Sequence, residues 1–170
     1  MGHDLARVAS APRRGGPPWA SAYCARLNRH PLFSTAGQVR PKLLRVNARK
    51  LVVYVEDNTA NFALVCKLLE ASGHYEVLGA PDGEHGLELI KARLPDVVLL
   101  DLDLPGMSGI EVAKRLKQCV ETAAIPILVV TASVMRREHT SAMEAGADAF
   151  IAKPFDITEL RKLVNDTCGI

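Results

Sequence analysis

From Leu51 onward, short apolar runs alternate with amphipathic stretches, the rhythm of βα units built around a parallel sheet. LVVYV at 51–55 is a β-branched run that halts at Glu56-Asp57 and predicts a first strand. Asn58 or Thr59 is placed to cap a helix in which Phe62, Val65, Cys66 and Leu69 recur on one face, ended by Gly73. A second strand is expected over 75–79. Asp82-Gly83 then predicts a turn, Leu87, Ile90 and Leu94 give the next helix an apolar face, and Pro95 stops it.

The third strand, 96–100, runs through VVLL into Asp101 and the Pro/Gly loop that ends at Gly109. A buried strand that stops on a carboxylate at its C-terminal end puts that group where open parallel sheets bind ligands. Ile110, Ala113 and Leu116 mark a third helix. IPILVV at 125–130 predicts a fourth strand, with Pro126 tolerated at its start and Thr131 at its end. A weakly amphipathic fourth helix over 135–145 is closed by Gly146. The fifth strand, 148–152, ends at Lys153-Pro154, and Asp156 is placed to cap a last helix that buries Ile157, Leu160 and Val164. Only 167–170 then remain, so no fused output domain is expected.

Charge divides the 170 residues into unlike parts. Residues 1–50 carry ten Lys/Arg and one acid, a balance of +9; the remaining eleven basic and eighteen acidic residues give −7. The first 48 residues hold APRRGGPP and dispersed arginines without a helical or strand period, and a disordered leader is expected there. Such a leader has the chemistry to meet nucleic acid, anionic lipid or an import machinery, but its arginines are scattered rather than clustered. A start of translation downstream of Met1 fits the same pattern. Cys24, Cys66, Cys119 and Cys168 form no C-x-x-C pair, which argues against zinc or redox chemistry and for reduced thiols. With no apolar window near the length of a membrane span, a cytoplasmic protein is expected.

The residues that end the strands carry the chemistry: Glu56 and Asp57 after the first, Asp101 after the third, Thr131 after the fourth and Lys153 after the fifth. In a parallel sheet these ends share one edge, so three carboxylates and one ammonium converge. Two carboxylates about 5 Å apart repel by roughly 3 kcal/mol at an effective dielectric of 20, so such a cluster takes up protons or recruits a cation. An all-oxygen donor set suits Mg2+. A carboxylate beside a metal, a lysine and a hydroxyl is equipment for phosphoryl transfer, with Asp101 as the nucleophile.

VYVEDN at 53–58, LLDLDLPGMSG at 99–109, LVVTAS at 128–133 and FIAKPF at 150–155 resemble, in order and spacing, the signature blocks of CheY-like response-regulator receiver domains. The resemblance covers 51–170, and the EDN-x-x-N block is similar to that of stand-alone DivK-like regulators. It implies an α/β fold, a doubly wound, flavodoxin-like sheet of five parallel strands in the order 2-1-3-4-5, for which CheY is a standing example. A receiver over 49–170 follows. The resemblance also implies two-component signalling without enzymatic turnover of a separate substrate: a histidine kinase or histidine phosphotransfer protein phosphorylates Asp101, and a downstream protein reads the change. By the same likeness Asp57 ligates Mg2+ directly and Glu56 through water, with Asp101 and the Asp103 backbone carbonyl completing the metal set. Thr131 and Lys153 bind the phosphoryl group, Phe150 is the rotating aromatic switch, and the Lys153-Pro154 bond is cis. No nucleic-acid or membrane partner is expected for the receiver.

Other readings attach to the same residues. The Asp103 side chain either faces solvent or tunes hydrolysis, and Phe150 is either switch or core. Arg136, Arg137 and His139 form a solvated face or a partner surface, and His74, His85 and His139 share no metal-like spacing. D-x-D at 101–103 also resembles the nucleophile loop of haloacid-dehalogenase-type phosphatases, but the acid pair lies upstream of it and only 69 residues follow. A pseudo-receiver that binds without phosphorylation is disfavoured because every acid and the lysine are kept.

Overall fold

Val52 to Val55, Val97 to Leu100 and Ile127 to Val130 are all buried, as expected of central strands covered on both faces. In the computed structural model, which describes residues 49–132 and 135–170, they belong to β1 (Lys50–Val55), β3 (Val97–Leu100) and β4 (Ile127–Thr131). The flanking strands are β2 (Tyr75–Ala80) and β5 (Ala149–Ala152). All neighbouring pairs are parallel, in the order β2-β1-β3-β4-β5. The helices are α1 (Thr59–Glu70), α2 (Gly83–Arg93), α3 (Gly109–Gln118), α4 (Arg136–Glu144) and α5 (Ile157–Cys168). The leader expected over 1–48 lies outside the described residues.

Strand alternation sorts the core into two layers. Val52, Tyr54, Val97, Leu99, Leu128, Val130 and Ile151 meet Val65 and Leu69 of α1 and Leu160 and Val164 of α5. On the other face, Val129 packs with Leu102, Ala142 and Ala147. A Cβ on Gly86 would stand 2.8 Å from Val55 Cγ2, so that glycine lets α2 close onto β1.

Several positions differ from the expected pattern. Asp82 opens α2 as its N-cap, its Oδ1 accepting the His85 N–H at 2.9 Å, and Gly83 is already helical. Leu94 is no face residue but the left-handed C-cap of α2 (φ 45°), while Leu89 is buried instead. Val112 rather than Ile110 takes the most buried place at the start of α3. Ile157, expected inside, is 45% exposed at the first position of α5, and Phe155 packs against the core just before it. Pro126 stands outside β4, where its carbonyl accepts the Val98 N–H at 2.9 Å.

Register determines the functional edge. Val55 pairs with both Ala80 and Leu100, and Leu100 pairs with Val129. One residue further on, Glu56 and Asp101 leave the sheet side by side. Thr131 pairs with Ala152, so Lys153 emerges next to the end of β4.

Candidate phosphoacceptor site

Each acid at this edge is placed by local backbone chemistry. Asn58 caps α1, its Oδ1 accepting from the Ala60 and Asn61 N–H groups at 3.0 and 3.1 Å. That abrupt start brings Asn61 Nδ2 to 3.1 Å and the Asn58 N–H to 3.3 Å from Glu56 Oε1. The other oxygen, Oε2, accepts the Tyr54 hydroxyl and the Lys153 ammonium, the latter at 2.6 Å. Glu56 is therefore buried with four protein donors, whereas the adjacent Asp57 faces solvent.

Asp101 is 5% exposed and anchored at its backbone, its N–H donating to the Val55 carbonyl at 3.0 Å. Oδ1 accepts the Asp103 N–H at 3.1 Å, and Oδ2 lies 2.6 Å from Lys153 Nζ. Gly109, at the start of α3, has no room for a side chain: a Cβ there would come within 2.1 Å of the Asp101 carbonyl oxygen. Its N–H closes the loop onto the Leu102 carbonyl at 3.0 Å.

Lys153 bridges Glu56 and Asp101 from β5. Its N–H donates to the Thr131 carbonyl at 2.7 Å, and the following peptide bond to Pro154 is cis. Burial alone would pull the ammonium down. The hydrogen bonds and charges of Asp101 and Glu56 outweigh it and hold Lys153 above its ordinary value, so it stays charged at neutral pH. Burial, then the hydrogen bond to Glu56, pushes the Tyr54 phenol far above the usual range, which keeps it a donor.

The structure thus brings together Glu56, Asp57, Asp101 and Lys153. Carboxylate oxygens of the three acids lie within 4.8 Å of one another. This hard, oxygen-only donor set on a compact acidic cluster fits Mg2+. Thr131 is buried at the neighbouring strand end. Asp103 contributes its peptide to the Asp101 loop while the residue as a whole is exposed. Phe150 stands apart on the α4 side, half-buried against Leu102, Val129, Ala142 and Ala147, with its ring edge-on to His139 at 4.8 Å.

Tyr54, Asn61 and Gly109 escaped the reading of strand ends. Tyr54 was detectable in principle, since residues i and i+2 of a strand share a face and a tyrosine in an aliphatic run points its hydroxyl at whatever polar group follows. Nothing in the sequence marks the closeness of Gly109 to Asp101. His85 pairs locally with Asp82, its Nδ1 2.7 Å from Oδ2. No candidate metal cluster among the described residues includes a histidine.

The sequence profile of the response regulator receiver domain matches residues 52–165. The polar-differentiation response regulator DivK of Brucella anthropi is 37% identical over 120 residues, 71% of this chain and 97% of that protein. Among solved structures, a putative response regulator from Chloroflexus aurantiacus superposes with a TM-score of 0.68 at 32% identity, covering 72% of this chain and 100% of its own. The receiver domain of the sensor histidine kinase PA1611 from Pseudomonas aeruginosa, which has a magnesium ion coordinated in its active site cleft, superposes with a TM-score of 0.67. It is 25% identical, over 72% of this chain and 100% of that domain.

Proposed function

Because the chain belongs to the response regulator receiver domain family and serves two-component signalling, we propose that Asp101 is its phosphoacceptor. The observation that carries this reading is the placement of Lys153 Nζ 2.6 Å from Asp101 Oδ2, at a buried edge that also holds Glu56 and Asp57. In the reaction, an Asp101 carboxylate oxygen attacks the phosphorus of a phosphohistidine on a histidine kinase or phosphotransfer protein. The P–N bond breaks as the P–O bond forms, and the leaving imidazole takes up a proton.

The chain's own groups orient and neutralise. Asp103 N–H fixes one Asp101 oxygen, Lys153 stays protonated and meets the incoming charge, and the Thr131 hydroxyl lies at the next strand end. Asp57, Asp101 and the Asp103 carbonyl would hold Mg2+ directly and Glu56 through water, and the ion would supply neutralisation of phosphoryl charge. An outer role suits Glu56, whose oxygens already accept four protein donors.

Phosphorylation adds roughly −1.5 to −2 charge at the edge. Thr131 then moves toward the phosphoryl group, Phe150 turns into the space left, and the face made by α4, β5 and α5 changes its affinity for a downstream protein, as a shift between two existing states. The protein assists its own phosphorylation and dephosphorylation without turning over a separate substrate, and it works in the cytoplasm as a DivK-like receiver spanning 49–170. No helix among the described residues is long and apolar enough to cross a membrane.

Incubation with Mg2+ and a small acyl phosphate, read by intact-protein mass spectrometry, tests the assignment. One added phosphoryl group is expected on the wild type and none on Asp101→Ala. No adduct on the wild type, or an unchanged adduct on the variant, would overturn it.

A further inference from the structure

Lys153 and Tyr54 meet on one atom. Both donate to Glu56 Oε2, the lysine as a charged donor on a flexible stem and the tyrosine as a neutral donor on a buried ring. The ring has little freedom: it lies in the core of β1, 6.2 Å from the Phe62 ring, and Phe62 itself fills the space above Gly79. A Cβ on residue 79 would come within 2.4 Å of Phe62 Cε2. The phenol is thus a fixed donor, and Lys153 is the movable one.

Lys153 is also the group that bridges to Asp101, 2.6 Å from each carboxylate, so a phosphoryl group on Asp101 competes with Glu56 for its ammonium. When it leaves, a buried carboxylate loses its charged partner, which is costly unless other donors remain. We propose that Tyr54 is a positioning residue that keeps the Glu56 carboxylate in place and satisfied, so that Lys153 is released to the phosphoryl group. This role rests on the phosphoacceptor assignment of Asp101. Glu56 then retains Tyr54, Asn61 and the Asn58 N–H, three donors that do not depend on the lysine.

Removal of the hydroxyl alone leaves Glu56 more dependent on Lys153 and ties the ammonium down. Tyr54→Phe is therefore expected to slow phosphorylation by a small acyl phosphate about tenfold at saturating donor and Mg2+, the loss of one hydrogen bond to a charged group. In a Glu56→Gln background the ammonium is no longer tethered by charge, and the same change is expected to alter the rate less than twofold. A merely structural role for the hydroxyl predicts the same rate loss in both backgrounds. Urea unfolding of the metal-free proteins gives a readout independent of phosphorylation: the two substitutions are expected to be non-additive in stability.

Equal phosphorylation of Tyr54→Phe and wild type, or additivity of the pair in both rate and stability, would overturn the role of Tyr54 while leaving Asp101 as phosphoacceptor. Failure of the wild type to be phosphorylated would instead remove the assignment of Asp101. Should Tyr54→Phe alone not fold, recovery of folding in Tyr54→Phe/Glu56→Gln supports the coupling, and no recovery overturns it.

Discussion

Lys153, from the last strand, and Asp101, from the middle one, are 52 residues apart in sequence, and their side chains meet at 2.6 Å between Nζ and Oδ2. The same ammonium contacts Glu56, so one cation serves two buried carboxylates. Charge balance at the edge depends on this contact as long as no metal is bound.

Lys153→Ala in metal-free protein leaves both carboxylates without their cation. A loss of about 3 kcal/mol in urea unfolding is expected, in line with the breaking of a buried pair from one side. Addition of Mg2+ is expected to recover part of it. Asp101→Asn, which removes a negative charge from the same cluster, is expected to cost less than Lys153→Ala.

Mg2+ is expected to stabilise the wild type by about 2.7 kcal/mol when its concentration is a hundredfold above Kd, seen as a rise in melting temperature. Asp57 is exposed, so Asp57→Asn is expected to leave the metal-free protein within about 0.5 kcal/mol of wild type while abolishing most of the Mg2+ response. Thermal denaturation with and without the ion checks both.

Gly109→Ala would drive a methyl group into the Asp101 carbonyl oxygen and the Leu102 Cα, both backbone atoms that cannot rotate away. A loss of about 3 kcal/mol and a fall in the phosphorylation rate are expected together, because the collision displaces the Asp101 loop. Gly73→Ala is the control: nothing lies within 4 Å, and its φ of +73° leaves only the left-handed backbone penalty, about 1 kcal/mol.

At the opposite edge, stability is expected to fall at alkaline pH. Burial, then the charge of Cys168, pushes the Tyr75 phenol from 10.0 up to about 12, and burial, then the charge of Asp96, pushes the Cys168 thiol from 9.0 up to about 11. Tyr75 donates to Asn165 Oδ1 at 2.6 Å. Both groups hold their protons more tightly when folded, so their contribution is complete below the unfolded values. It is lost as pH rises from 9 to 11 for Cys168 and from 10 to 12 for Tyr75. Tyr75→Phe and Cys168→Ser are each expected to flatten the decline of melting temperature with pH over their own window.

Much of this protein was legible in its residues because two strong regularities act over short range. Fully buried strands read as unbroken apolar runs, which is why β1, β3 and β4 stand out, and side chains at the ends of parallel strands share an edge, which is why Glu56, Asp57, Asp101 and Lys153 were expected to converge. The periodicity of helix faces was less reliable at helix ends. Leu94 and Ile157 fit the apolar period, yet one is a left-handed cap and the other an exposed first residue, since burial at a helix end depends on how far the neighbouring layer extends.

Tertiary structure alone decided which atoms meet. That one ammonium bridges Glu56 and Asp101, that Tyr54 shares Glu56 Oε2 with it, and that Gly109 abuts the Asp101 backbone all follow from the relative placement of β1, β3, β5 and α3. Contacts of this kind depend on distances of a few tenths of an ångström between segments remote in sequence. Hydrophobic periodicity determines which face of an element is buried, but it carries no information at that scale.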